Sequence, residues 1–314
     1  MQSDERSASR MRLGVVQPHS YAGEDAPRML ADAIDWVAQA GADGIDLLVF
    51  PETYPGPVSW HTRYEVVGPL AEAAAKHGVA LVVGTTEEAE AADENAYYVS
   101  SVVIDTDGEV RGSYRRTHPR GEVYRGLYRS GPFWELEYCA ADELPVFEMT
   151  WGVLGVSICS EVFVPEVARA LAAQGAELCV FPTGAMIVDM GFGENWQAMV
   201  RARAIENVMY TATTMNLFDA DLRAAHGAGL GPVDPATGLN SGHAMIASPE
   251  QVLGTMRGPG ILSADLDLEY IRRMRAEPEF PEGVVFPPPY ASLPGLPNLA
   301  RPEITGAPAA LGRP

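Results

Sequence analysis

Apolar runs of strand length alternate along this chain with stretches of helical period, and few architectures accept that alternation. "LGVVQ" (Leu13 to Gln17) reads as a buried strand. The stretch that follows, "APRMLADAIDWVAQAGADG", sets Met29, Leu30, Ala33, Ile34 and Val37 on one helical face and stops at Gly41 and Gly44. "IDLLVFPE" and "VALVVGTTE" are further strands, with a helix around Leu70 to Lys76 between them. In "AYYVSSVVIDTDGEVRGSYRR" two strand runs meet at Asp107-Gly108, a hairpin signal that predicts antiparallel pairing. Beyond Cys159, Val164, Val167, Ala168 and Leu171 return to helical spacing, with Pro165 where a first turn tolerates it. "ELCVFP", "WQAMVRARAIENV", "YTATTMN", "HAMIASP" and "GILSADLDLEYIRRMR" continue the pattern. The prediction is an α/β fold in one domain over residues 11–277, after a disordered N-terminus over 1–10. A Pro/Gly-rich tail over 278–314 is expected to be extended along a surface or disordered.

Composition narrows the partners. With 47% hydrophobic residues in 314, the chain can bury a sizeable core. A formal charge of -20 repels phosphate backbones, which argues against nucleic acid. The N-terminal "MQSDERSASRMR" is polar, and no run approaches the roughly 20 apolar residues of a membrane span, so no membrane partner is expected. Three cysteines without a C-x-x-C pair or zinc-like Cys/His spacing point away from a disulfide framework or a structural metal and toward a reducing cytoplasm.

Three reactive side chains stand just where an apolar strand stops: Glu52 after "LLVFP", Arg116 after "GEVRGSY" and Cys159 after "VLGVSI". Open α/β sheets build their sites at strand ends. A thiol to attack carbon, a carboxylate to move protons and a fixed cation to hold developing negative charge make a complete set for acyl transfer from nitrogen. Cys179, inside "LCVFP", keeps the reading of an ordinary buried cysteine, and Cys139 has no assigned role.

These pieces lie in a wider pattern. "FPETYPG" around Glu52, "GSYRRTH" around Arg116, "GVSICSEVFVPEVARALAAQGAELCVFPTGA" around Cys159, "WQAMVRARAIENVMYTATTMN" and "ILSADLDLEYIRRMR" follow one another in order. In that order and spacing the chain resembles the nitrilase superfamily of carbon-nitrogen hydrolases, from about Arg12 to Arg275. The resemblance implies a four-layer α-β-β-α sandwich, pairing through helices into a homodimer or larger homo-oligomer, a Glu-Lys-Cys catalytic set, and neither metal nor organic cofactor. "CSE" looks like the nitrilase branch and "PEVARALAAQGAEL" like amidases and carbamoylases.

The chain departs from that pattern at the lysine, where Tyr114-Arg115-Arg116 stands. Strand alternation puts Arg116 on the face of Tyr114 and turns Arg115 away. Arginine keeps the charge, but its pKa above about 12 leaves it no proton to exchange. The resemblance also implies a second glutamate before the cysteine strand; Glu135 is preferred, with Glu137 and Glu122 as alternatives. Glu206 in "RARAIEN" reads as scaffold, paired with Arg203 or Arg201.

The leading expectation is a thiol hydrolase of a small amide, carbamoyl or nitrile substrate. Cys159 attacks, Glu52 takes the proton, and Arg116 with the N–H of Ser160 holds the charge. One alternative passes the same intermediate to an amine, as an amide-forming acyltransferase; another takes the lost lysine as the mark of a non-catalytic binding or scaffold protein. Tyr54, Trp60, His118, Trp134, Glu161 and Met186 are expected as pocket walls, as are His61, Tyr124 and Trp196, each with core or interface packing as its alternative.

Overall fold

The computed structural model describes residues 9–21, 23–56, 64–89, 96–118, 137–184, 190–221, 233 and 235–276. Their strands form two sheets. The first runs β13 (Gly260–Asp267), β1 (Arg10–Gln17), β2 (Leu47–Val49), β3 (Ala80–Glu88), β4 (Ala96–Ile104) and β5 (Val110–Arg115), and the short β6 (Glu137–Tyr138) also pairs with β4. The second runs β12 (Val252–Met256), β11 (Ala244–Ala247), β10 (Tyr210–Met215), β9 (Leu178–Thr183), β8 (Gly152–Val156) and β7 (Val146–Met149). Each sheet has a parallel centre, β1-β2-β3 in one and β8-β9-β10 in the other, flanked by antiparallel strands.

Residue alternation explains the layering. Leu13, Val15, Leu47, Val49 and Val82 point into a core shared with Leu154, Val156, Leu178, Val180 and Ile246 of the second sheet. Their neighbours Val16, Leu48 and Val83 point the other way, onto Met29, Ala33 and Val37 of α1 (Arg28–Ala42) and Leu70 and Ala74 of α2 (Val67–His77). On the far side of the second sheet lie Val167, Ala168 and Leu171 of α3 (Pro165–Ala173) and Val200 of α4 (Met190–Asn207). The result is the four-layer α-β-β-α sandwich. Each fully buried Val, Leu or Ile contributes about 1.5–3 kcal/mol, so both faces of both sheets are held by the same apolar alternation. A last helix, α5 (Leu268–Ala276), follows β13 of the first sheet yet is tied to the second: Arg272 donates to Glu177 at 2.6 Å and Arg275 to the Ala176 carbonyl at 2.6 Å.

Several elements differ in extent from the sequence reading. β1 opens at Arg10, inside the stretch expected to be disordered, because β13 extends to Asp267 and offers it a partner. "IDLLVFPE" contributes a strand only over Leu47–Val49; Phe50 donates once more to Val82, and Pro51 has no N–H with which to continue. The hairpin through Asp107-Gly108 forms as expected, with β4 and β5 antiparallel. The tail over 278–314 lies outside the described residues. Among the described residues no helix is long and apolar enough to cross a membrane.

Candidate active site

The ends of β2, β5, β8, β9 and β10 converge. After β2 the chain turns sharply: Tyr54 N–H donates to the Pro51 carbonyl at 3.2 Å, and Thr53 takes the left-handed φ of 52°. Gly84 on the neighbouring β3 admits this turn, since a Cβ there would sit 2.1 Å from the Pro51 oxygen. Asn216, the residue after β10, donates its side-chain amide to the Glu52 carbonyl at 2.8 Å and accepts from the Ser20 hydroxyl at 2.7 Å. Glu52 is thereby held at main chain and side chain alike. Its Oε1 accepts from Arg116 Nη1 at 2.8 Å and its Oε2 from the Gly184 N–H at 2.7 Å.

Arg116 leaves β5 as a buried residue, 2% exposed, with its N–H on the Val99 carbonyl at 2.9 Å. Its second terminal nitrogen donates to the Ser160 hydroxyl. Arg115 faces the surface as the alternation predicts and meets Glu87 at 2.6 Å. That exposed pair contributes about 0–1 kcal/mol, whereas the Arg116 pair sits where solvent screens little.

Cys159 follows β8 and opens a 3-10 turn, Cys159–Phe163, with φ 51°. A non-glycine residue seldom adopts that backbone, and such strain collects at functional sites. The thiol is near enough to Glu52 and Arg116 for both charges to act on it. Burial pushes its pKa up, the Glu52 charge pushes further, and Arg116 offsets only part of this. The resting group at neutral pH is therefore a thiol. Cys179 is fully buried inside β9 and packs in the core; Cys139 is half-buried and donates its N–H to the Tyr97 carbonyl at 2.8 Å.

Some expected pocket walls are placed elsewhere. Tyr54 turns inward and stacks on Phe50 with ring centroids 5.6 Å apart, in the core beneath α1 and α2. Trp196 is also core: its indole N–H donates to Thr213 Oγ1 at 3.2 Å, and Phe163 meets its ring edge-on. Glu161 is 1% exposed and offers no carboxylate to a pocket. Its Oε2 accepts from Tyr114 Oη at 2.8 Å and the Ile158 N–H at 2.7 Å. Its Oε1 accepts from the Thr117 N–H at 2.8 Å, Thr117 Oγ1 at 2.7 Å and the His118 N–H at 3.2 Å. Burial would raise its pKa, but hydrogen bonds from His118, Thr117 and the Ile158 N–H outweigh burial and hold it below the ordinary carboxylate value. His118 is half-exposed beside it. Trp60, His61, Glu122, Tyr124, Trp134, Glu135 and Met186 lie outside the described residues, and Glu137 is placed only as a backbone partner of Ala96 in β6.

Glu206 pairs with Arg203 at 2.8 Å, and Arg203 also donates to the Val162 carbonyl at 2.8 Å, bracing the turn that carries Cys159. Sequence reading missed Gly184 and Asn216. Both directly follow a strand, "LCVFPT" and "YTATTM", so the strand-end rule that selected Glu52 and Cys159 could have found them. Among the described residues no group of three or more His, Cys, Asp and Glu side chains could hold a metal ion.

The carbon-nitrogen hydrolase family model matches residues 12–276. The chain is 27% identical over 254 residues to an omega-amidase of Xenopus tropicalis, covering 77% of this chain and 83% of the relative. It is 27% identical over 295 residues to an N-carbamoylputrescine amidase of Solanum lycopersicum, covering 85% and 91%. A solved mutant of the amidase from Nesterenkonia sp. AN1 superposes with a TM-score of 0.63 at 26% identity, covering 86% of this chain and 95% of the other; it shows covalent addition of the acetamide moiety of fluoroacetamide at its active site cysteine. The match spans the strand ends bearing Glu52, Arg116 and Cys159, and the chain belongs to the carbon-nitrogen hydrolases of the nitrilase superfamily and is an enzyme of that class.

Proposed function

We propose that the chain hydrolyses a small carboxamide or N-carbamoyl compound through a covalent intermediate on Cys159. The observation that carries this reading is the arrangement of Glu52: its carboxylate is held by Arg116 and Gly184, near enough to Cys159 for its charge to act on the thiol. A protonated thiol is a poor nucleophile and needs a base beside it. As Sγ bonds to the carbonyl carbon, Glu52 takes the thiol proton. The negative charge on the former carbonyl oxygen is stabilised by the field of Arg116 and by the Ser160 N–H. Collapse breaks the C–N bond as Glu52 hands its proton to the departing nitrogen, leaving a thioester. Water, deprotonated by Glu52, then attacks the thioester carbon; the acid departs and the thiolate recovers the proton.

The relatives named above are amidases, which favours amides and carbamoyl compounds over nitriles. The test is ammonia release from panels of ω-amides, N-carbamoyl amines and nitriles, with mass spectrometry of the quenched enzyme. The reading expects an acyl adduct on the peptide bearing Cys159 and, in Cys159→Ala, loss of turnover by several orders of magnitude without loss of fold. Turnover retained in that variant would overturn it.

A further inference from the structure

Glu161 is buried and ionisable, yet the proposed chemistry makes no use of it. Its five hydrogen-bond donors belong to two segments. Tyr114 and Thr117 flank Arg116, and His118 follows them; Ile158 directly precedes Cys159. We infer that Glu161 is a positioning residue that fixes the Arg116 guanidinium relative to the Cys159 thiol, by locking the exit of β5 to the turn after β8 through one carboxylate. The inference rests on the acyl-enzyme reading.

The chemistry of the lock demands a carboxylate. Both oxygens face donors only, and three of these are main-chain N–H groups, of Ile158, Thr117 and His118, which cannot become acceptors. A glutamine has the same shape but must turn its NH2 either toward Ile158 or toward Thr117 and His118. One half of the lock then opens. Arg116 cannot absorb the movement, because its two terminal nitrogens are committed to Glu52 and Ser160. Misplacing a catalytic group by about 1 Å can cost ~10²-fold in rate.

The test is made on the full chain with two readouts, steady-state kinetics and the rate at which iodoacetamide alkylates Cys159, followed by peptide mass spectrometry with Cys179 as internal reference. Glu161→Gln is expected to lower kcat and Cys159 alkylation by about 10²-fold while KM stays within about twofold. Tyr114→Phe removes one donor, keeps the ring in the core, and should fall between the variant and wild type. Because Glu161 acts through Arg116, Glu161→Gln placed on Arg116→Ala should add less than about threefold further loss. A carboxylate that merely stabilised the fold would instead cost the same factor in both backgrounds. Wild-type behaviour of Glu161→Gln, or of Tyr114→Phe should the first variant not fold, overturns the inference; so does a full second loss on Arg116→Ala. Should Cys159→Ala keep turnover, the acyl-enzyme reading falls, and the alkylation rates still decide the role of Glu161.

Discussion

Arg116 and Glu52 form a buried ion pair, Nη1 to Oε1 at 2.8 Å, with side-chain exposures of only 2% and 10%. Desolvating two charges costs about what their attraction returns, so such a pair is weak as a source of stability and strong as a constraint on position. Here it holds a permanent cation and a proton acceptor at fixed separation beside one thiol. The pair suits an arginine, since it needs charge and geometry rather than a mobile proton.

Arg116→Ala should strand the Glu52 carboxylate in the interior, costing about 3–5 kcal/mol of stability and slowing acyl-enzyme formation by ~10² or more. Arg116→Lys keeps the charge but has one nitrogen where two are used, for Glu52 and for Ser160. It should retain turnover well below wild type, with the loss chiefly in kcat. Urea unfolding and single-turnover kinetics check both variants; an Arg116→Ala enzyme as fast as wild type would remove the cation from the mechanism.

Gly184→Ala puts a Cβ 2.7 Å from Glu52 Oε2, the oxygen that the Gly184 N–H now holds. The carboxylate must leave its present position. Overpacking of this kind costs about 1–3 kcal/mol, and the displaced base should lower kcat by ~10². Thermal unfolding together with kcat separates the two effects, and an unchanged kcat would show that this contact does not hold the base.

Alkaline pH should destabilise the fold through its buried thiols. Burial raises Cys159 above its ordinary value of 9.0, with the Glu52 charge adding to it, and burial raises Cys179 likewise, with Glu161 adding. Above about pH 9 the unfolded chain releases these protons while the folded chain keeps them, so unfolding gains. The stability is fully present below pH 9 and is lost as pH rises toward the folded values, at up to about 1.4 kcal/mol per pH unit for each thiol. Denaturant titrations at pH 7, 9 and 10 test this, and Cys179→Ala should shed one thiol's share of the slope. Equal stability at pH 9 and 10 would contradict it.

Local pattern reached a long way into this protein. The period-2 and period-3.6 spacing of apolar residues marked most of the strands and helices, because burial of one face is written into neighbouring residues. The same alternation put Arg116 inward with Tyr114 and Arg115 outward, as observed. Strand ends singled out Glu52, Arg116 and Cys159, and these do meet. What the side chains do on arrival was beyond local pattern. Tyr54 and Glu161 sit beside the reactive residues in sequence, yet one turns into the core and the other into a lock between two segments. Gly184 reaches Glu52 across 132 residues and Asn216 across 164. Periodicity records which face of an element is buried, a property of a few adjacent residues. Which strand ends stand together, and which donor finds which acceptor there, is decided only when the two sheets close on each other and bring polar groups distant in sequence within reach.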